Sequence, residues 1–258
     1  MHHEHESGFF QRIREEIGYW SHSQWTFQEV GDHWDRTEDY DEINEQTYSY
    51  RRRFVDGHRL SSVEPGSHVL DICARTGNGT AYFYERGLVG SAICADVSFN
   101  MGAICRRYLQ EIGCTQFAWV PVMDYDLPFA DANFDAVLCF ETVEHFSEPE
   151  KLVAELGRVT RPGGVLILTT PNVLWEPVHA IAAIMQWHHS EGPHRFIRHK
   201  RLLDMVEQAG FTIEQVETTV LIPGGPPALI KLGEWIETHT RRTLMPLLGL
   251  RRVIVATR

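Results

Sequence analysis

Val69–Gly79, VLDICARTGNG, carries the pattern around which the rest of the chain can be read. Its first part is an apolar run that closes on Asp71, as a buried strand does. A short turn containing Gly77 follows, and helical spacing resumes from Gly79 to Arg86. A strand–turn–helix of this kind sets main-chain amides and a helix N-terminus at the edge of a sheet, where polar groups of a ligand can be held. The turn matches neither GxGxxG nor GK[ST], so the common nucleotide loops do not describe it.

Outward from that turn, the chain alternates strand and helix, the pattern of a doubly wound parallel sheet. His68–Ile72, Ser91–Ala95, Gln116–Val122, Phe134–Phe140, Val165–Thr170, Phe211–Val220 and Arg251–Thr257 read as seven strands. Apolar residues at 101, 104, 105, 108, 109 and 112 mark a helix after the second strand. Ser147 with Glu150 reads as a capping box opening a helix to about Thr160. RPGG at 161–164 reads as a turn, Arg201–Ala209 as a helix stopped by Gly210, IPGGPP at 222–227 as a loop, and 229–240 as a short helix. Residues 171–197 exceed an ordinary connection, which marks a functional insertion or lid. Residues 9–60 carry Trp20, Trp25, Phe27, Trp34, Tyr40, Tyr48 and Tyr50 among many charges and read as two or three helices with an extended stretch near Trp25. The division is a helical cap over 1–64 and a core domain over 65–258. Aromatics in such a cap either line an apolar pocket or simply pack it onto its neighbour.

The chain has 258 residues, 43% of them hydrophobic, enough for one sizeable core. It has no run of eighteen apolar residues to span a bilayer. Its first ten residues, MHHEHESGFF, lack the apolar centre of a signal peptide and read as a disordered tail, so the expected location is the cytoplasm. The cysteines at 73, 94, 105, 114 and 139 form neither a CxxC pair nor a disulfide framework, which suits a reducing compartment. A net charge of −11 argues against general nucleic-acid binding. One basic cluster, His194–Arg201 (HRFIRHKR), stands either for a solvated helix start or for a patch holding one anionic group of a substrate.

Order and spacing over residues 67–215 resemble the class I S-adenosylmethionine-dependent methyltransferases, a Rossmann-like seven-stranded α/β fold with helices on both faces. FDAVLCFETVEHF (134–146) followed by RVTRPGGVLILTTPN is most similar to the ubiquinone-type small-molecule O-methyltransferase branch. The family's first motif runs D-x-G-x-G-x-G; here Asp71 and Gly77 stand in place, while Cys73 and Arg75 replace two glycines. The resemblance implies a cofactor site built from Asp71, Cys73, Arg75, Gly77, Asp96, Val97, Met101, Asp124, Tyr125 and Phe140. Asp96 would accept the ribose hydroxyls, Met101 would pack on the adenine, and Asp124 with Tyr125 would meet its edge. Taken singly, Asp96 also suits a helix cap and Asp124 the start of a turn. Arg75 has three readings: pairing with the cofactor's carboxylate, outward display, or obstruction. The first two are preferred, because Asp96, Asp124 and the ExxEH segment are intact.

Glu141, Glu144 and His145 follow the fourth strand, and one helical turn there would bring them to one face. With His194 they resemble the family's ExxEH-plus-later-His set. His145 or His194 then serves as general base beside Glu141. The alternative is a divalent metal on Glu141, Glu144, His145 and His194, and a third reading has Glu144 and His145 only bracing the helix. His179, His188 and His189 are assigned to the lid surface or pocket lining. The expected reaction moves a methyl group to a small-molecule acceptor, at a hydroxyl oxygen, leaving S-adenosylhomocysteine. The acceptor would be apolar or aromatic and carry an anionic group. Two alternatives stand beside this: a metal-dependent RNA 3′-end methyltransferase, and a non-catalytic relative disabled at Cys73 and Arg75.

Overall fold

The structure is a computed structural model; it describes residues 2–22, 24–37, 40–41, 47–185 and 190–258, without the side chains of residues 2–9, 11 and 20. Before the first strand the described residues include α1 (His2–Ser21), α2 (Phe27–Asp35) and α3 (Tyr48–Leu60). The amino-terminal segment expected to be disordered is thus the start of α1. The expected strands and helices follow as β1 (Ser67–Ile72), α4 (Asn78–Tyr84), β2 (Val89–Asp96), α5 (Phe99–Glu111), β3 (Phe117–Pro121), β4 (Phe134–Phe140), α6 (Pro149–Val159) and β5 (Thr160–Pro171). After β5 come α7 (Glu176–Ile184), α8 (His199–Gln208), β6 (Thr212–Thr219), α9 (Pro227–Thr240), α10 (Met245–Leu248) and β7 (Arg251–Thr257).

The sheet order is β3-β2-β1-β4-β5-β7-β6, and only β7 runs antiparallel to its neighbours. Chain order reverses between β1 and β4, so their carboxyl ends open a crevice, the usual ligand position in an open α/β sheet. The strands are apolar on both faces because helices cover both: Leu70, Ile72, Val137, Leu138, Leu166, Ile167 and Leu168 are fully buried. RPGG does not end a separate turn. It protrudes within β5, whose register against β4 shifts between Phe134 and Ala136, with Gly163 at φ +76°.

Two helices of the amino-terminal segment approach the sheet edge closely. A Cβ on Gly57 of α3 would stand 2.8 Å from Ile167 and 3.0 Å from Phe140. One on Gly31 of α2 would stand 2.8 Å from the Val97 carbonyl oxygen. Helix α2 starts on a capping box, with Thr26 Oγ1 accepting from the Glu29 amide and Glu29 accepting from the Thr26 amide. Its far end is clamped to α5, where Asp35 Oδ1 accepts from Ser98 Oγ at 2.6 Å and the Asn100 amide at 3.0 Å. The capping box expected at Ser147 does not form. Pro149 opens α6 instead, and Ser147 Oγ accepts from the Trp25 amide and donates to its carbonyl, tying the segment before α2 to β4's outgoing loop.

Candidate active site

The turn after β1 keeps the shape of a glycine-rich turn with few glycines. Cys73, Arg75 and Gly77 all have positive φ, at +52°, +49° and +86°. Non-glycine residues adopt this region only when their surroundings hold them there. At Arg75 the hold is the amide, which donates to Asp96 Oδ2 at 2.6 Å. At Gly77 a side chain is excluded, since a Cβ would lie 2.8 Å from Cys105 Sγ. Asp71 works inside the fold: its Oδ2 accepts from the Thr80 amide and hydroxyl at 2.9 and 2.8 Å, fixing α4 on β1. Burial raises its carboxyl to about 6.

Arg75 is 5% exposed, so outward display is ruled out. Its guanidinium turns in over the β4 edge, donating to the Glu141 carbonyl at 2.9 Å, the Phe140 carbonyl at 3.4 Å and His145 Nε2 at 3.3 Å. It lies 4.6 Å from the centre of the Trp34 ring.

Asp96 ends β2 as expected, and its Oδ1 accepts from the Ser98 amide at 2.8 Å. Val97 and Met101 are buried beneath α2, in company with Val30 and Trp34. Asp124 is exposed, whereas Tyr125 is partly buried and packs edge-on against Phe27 at 4.9 Å. Phe140 is buried against Phe54. Of the positions expected to bind the cofactor, Cys73, Arg75 and Phe140 line one recess with Asp71, and α2 covers Val97 and Met101 on the β2 side.

Glu141, Glu144 and His145 do not share a face. Glu141 has φ +48°, and its carboxylate turns to Arg251, whose Nε donates to it at 2.9 Å. Val143–His145 form a 3-10 turn in which Glu144 points the other way, accepting from Thr170 Oγ1 at 3.0 Å. Burial, reinforced by the Glu141 charge, pushes the Glu144 carboxyl well above the carboxylate range. His145 Nδ1 donates to the Pro193 carbonyl at 3.1 Å, leaving Nε2 with the lone pair that meets Arg75. Burial and then the Arg75 charge lower its pKa to about 3, so the ring stays neutral. His194 Nδ1 donates to the Gly192 carbonyl at 2.8 Å, and its buried Nε2 has no partner. No group of three or more His, Cys, Asp or Glu among the described residues is arranged to hold a metal ion, which removes the structural support for the metal alternative.

A cavity of about 660 Å³ opens beside this crevice, walled by Trp34, Tyr40 and Tyr50 on one side and Trp175, Val178 and His179 on the other. Its charged lining is Arg53, Arg75, Arg251, Glu141 and Glu191. Of the expected catalytic set only Glu141 reaches it; His145 and His194 lie outside the lining. Residues 171–197 contribute Trp175, Val178, His179, Ala182 and Glu191 to the wall, while His188 and His189 fall outside the described residues. The HRFIRHKR cluster does not line the cavity. Arg201 pairs with Glu150 at 2.7 Å, Lys200 with Asp204 at 2.6 Å, and Arg195 donates to the His22 carbonyl.

Arg53, Arg251 and Glu191 were missed in the sequence. Arg53 had left a signal: with Tyr50, Phe54 and Gly57 it recurs at helical spacing on the buried face of α3, where an arginine is out of place. Glu191 and Arg251 left none, since each reaches the cavity only through long-range packing.

The methyltransferase domain family matches residues 70–168. The demethylmenaquinone methyltransferase of Renibacterium salmoninarum is 34% identical over 142 residues, 55% of each chain. The ubiquinone/menaquinone biosynthesis C-methyltransferase UbiE of Psychromonas ingrahamii is 31% identical over 132 residues, 50% of this chain and 51% of its own. The chain thus spans about half the length of the curated relatives it matches. Among solved structures, phosphoethanolamine N-methyltransferase 2 of Haemonchus contortus with S-adenosyl-L-methionine superposes at a TM-score of 0.64 and 18% identity, over 89% of this chain and 60% of that one. A likeness at that identity speaks for the fold alone. With the matching sequence segment, the strand order and the turn after β1, this makes the chain similar to the class I S-adenosylmethionine-dependent methyltransferases, ubiquinone-type relatives among them.

Proposed function

We propose that this chain transfers a methyl group from S-adenosylmethionine to a small hydroxyl-bearing acceptor held in the 660 Å³ cavity. The observation that carries this is the position of the cavity: it abuts both the β1 turn, at Arg75, and the end of β4, at Glu141. In this reading residues 1–64 cap a core domain of 65–258, and 171–197 form the lid.

The residues present fit the cofactor at its amino-acid end, where Arg53 and Arg75 leave buried Nε atoms unpartnered beside a recess lined by Cys73, Gly79 and Phe140. At the nucleoside end Asp96 keeps one further acceptor site on each oxygen beyond its bonds to the Arg75 and Ser98 amides. Helix α2 covers that end, so Asp96 receives ribose hydroxyls only when α2 is displaced from Val97. When bound, the cofactor supplies an electrophilic methyl on a sulfonium sulfur.

The protein's part is mostly alignment and exclusion of water. Trp34, Tyr40, Tyr50 and Trp175 give the acceptor an apolar or aromatic wall, and the arginines in the same wall suit an anionic group on it. Of the two carboxylates facing the cavity, Glu141 is neutralised by Arg251. Glu191, 3.6 Å from His179 Nδ1 and 3.8 Å from His145 Nε2, is then the acceptor for the hydroxyl proton. His145 and His194 hold the 190–196 loop that carries it, through their bonds to the Pro193 and Gly192 carbonyls. A second reading places the methyl on a ring carbon of a phenol. It is favoured by relatives named as C-methyltransferases, and it needs the same loss of a hydroxyl proton. The five free cysteines agree with work in the cytoplasm, and no described helix is long and apolar enough to cross a membrane.

The test is a panel of phenolic acceptors with isotopically labelled S-adenosylmethionine, the product's oxygen or carbon attachment read by mass spectrometry and NMR. Activity that survives EDTA and is not competed by RNA oligonucleotides supports the reading. Calorimetry with S-adenosylhomocysteine that shows no binding refutes it in favour of a non-catalytic relative.

A further inference from the structure

Ten of the fifteen large apolar side chains that are exposed among the described residues fall in two stretches, 174–185 and 229–248, so their exposure is concentrated, as at an interaction site, and not scattered over the surface. The two stretches adjoin. Trp175 Nε1 donates to the Leu248 carbonyl at 2.9 Å, and Asn172 Nδ2 donates to the Leu247 carbonyl at 2.9 Å. In α9, Leu232, Trp235 and His239 recur at helical spacing on the outward face, while Gly233 on the opposite face packs on Ile222. Trp235 is 59% exposed, and the His239 ring centre lies 4.4 Å from its own. Leu244, Leu247 and Leu248, at α10, are exposed as well.

The charges around this face are sorted. Both carboxylates of α9 are engaged from the protein side. Glu234 accepts from the Tyr48 hydroxyl at 2.6 Å, and Glu237 accepts from Arg52 at 2.7 Å and from the Val220 amide at 3.2 Å. Arg241 is paired with Glu217 at 2.6 Å. Lys231 and Arg242 are exposed, and among the described residues no carboxylate pairs with either. In a chain of net charge −11, residues 227–258 hold six Lys and Arg against two Glu. A tryptophan and leucines flanked by free cations, with the carboxylates withdrawn, compose a surface that settles into an anionic lipid headgroup layer. The Lys and Arg stems reach the headgroups while the apolar side chains lie deeper. A second copy docked about a two-fold axis would instead bring the same cations into one interface, with no carboxylate to meet them.

We propose that α9 and α10, with Leu174 and α7 beside them, dock this protein on an anionic membrane surface without spanning it. Trp175 and Val178 also line the cavity, and Gly225 lines it two residues before α9, so docking turns the cavity mouth towards the lipid. The docking itself does not rest on the methyl-transfer reading.

The experiment is co-sedimentation of the full chain with vesicles of phosphatidylcholine alone and of equal parts phosphatidylcholine and phosphatidylglycerol, at low and high salt. The expected result is binding to the mixed vesicles at least tenfold tighter than to the neutral ones, and weakened by salt. Lys231→Gln and Arg242→Gln should each lower it about fivefold. Trp235→Ser combined with Leu247→Ser should lower it at least tenfold, while Phe99→Ser, an exposed apolar position on α5, leaves it unchanged. All these side chains are exposed, so thermal melting should match the wild type. Brominated lipid should quench the wild-type fluorescence more than that of Trp235→Phe, a readout that does not depend on the serine variants. No binding to the mixed vesicles, equal binding to both kinds, equal quenching, or serine variants that bind like the wild type refutes the proposal. So does a concentration-dependent dimer in analytical ultracentrifugation that the same variants abolish, which assigns the face to a second copy. Vesicle binding by a protein with no affinity for S-adenosylhomocysteine refutes methyl transfer and leaves the membrane site standing.

Discussion

His145 gives the sharpest prediction, because its titration is tied to a position rather than to catalysis. In the folded protein burial and Arg75 hold its pKa at about 3, against 6.5 for an unperturbed ring. Below pH 6.5 the unfolded chain takes up a proton that the folded chain refuses, so stability falls as pH falls. Taking those two values, acidification from pH 7 to pH 5 costs about 2 kcal/mol through this residue alone, rising to about 4 kcal/mol by pH 3. Asp71 works in the opposite direction. Its carboxyl, raised from 3.8 to about 6, is protonated earlier in the folded state and returns about 1 kcal/mol over the same interval. The two partly cancel in the wild-type curve, so the assay must be a difference. His145→Asn keeps a donor for the Pro193 carbonyl and cannot titrate. Urea unfolding of both proteins at pH 7, 6 and 5 should show the wild type losing about 2 kcal/mol more than the variant between the end points. Parallel losses would mean that the ring is not held neutral by Arg75 and the surrounding core, and the tautomer assignment would fall with it.

Gly31→Ala places a methyl 2.8 Å from the Val97 carbonyl and should cost about 1–3 kcal/mol in urea unfolding while speeding S-adenosylhomocysteine association in stopped flow, since it pushes α2 from the ribose end. Ser147→Ala removes both bonds to the Trp25 main chain and should cost about 1–2 kcal/mol, with faster hydrogen exchange over residues 24–30 and no change over α6. Asp96→Asn turns one acceptor towards an amide donor, either that of Arg75 or that of Ser98. S-adenosylhomocysteine binding should weaken tenfold or more, with the heat signature of 4-hydroxybenzoate unaltered. Glu191→Gln should lower kcat at least a hundredfold on a hydroxyl acceptor with KM nearly unchanged, and equal loss in both constants would remove Glu191 from proton transfer.

The sheet was legible because its determinants are local. Apolar runs of five to seven residues announce buried strands whatever packs on them, and β4 and β7 were bounded correctly from sequence. The turn after β1 was legible as a turn for the same reason, while the positive φ of Cys73 and Arg75 came only with the structure. What the sequence could not carry was direction. Spacing put Glu141, Glu144 and His145 on one helical face. A left-handed residue at Glu141 and a 3-10 turn after it send the two carboxylates to Arg251 and Thr170 instead. Ser147 had every local mark of a helix cap, but Pro149 starts the helix and the hydroxyl serves a strand-edge loop and a residue 122 positions away. The basic cluster at 194–201 advertised an anion site, but Lys200 and Arg201 pair with nearby carboxylates and Arg195 donates to a main-chain carbonyl.

The turn, the succession of strands and helices and the family resemblance were therefore set by residues close in sequence, while the order of strands in the sheet came only with the structure. The orientation of Arg75, the closure of the crevice by α2, and the meeting of Arg53 from α3 with Arg75 from the β1 turn were decided only by tertiary structure. A guanidinium's charge is written in the sequence, but whether water, a carboxylate or a ligand neutralises it depends on what the fold brings within hydrogen-bonding distance.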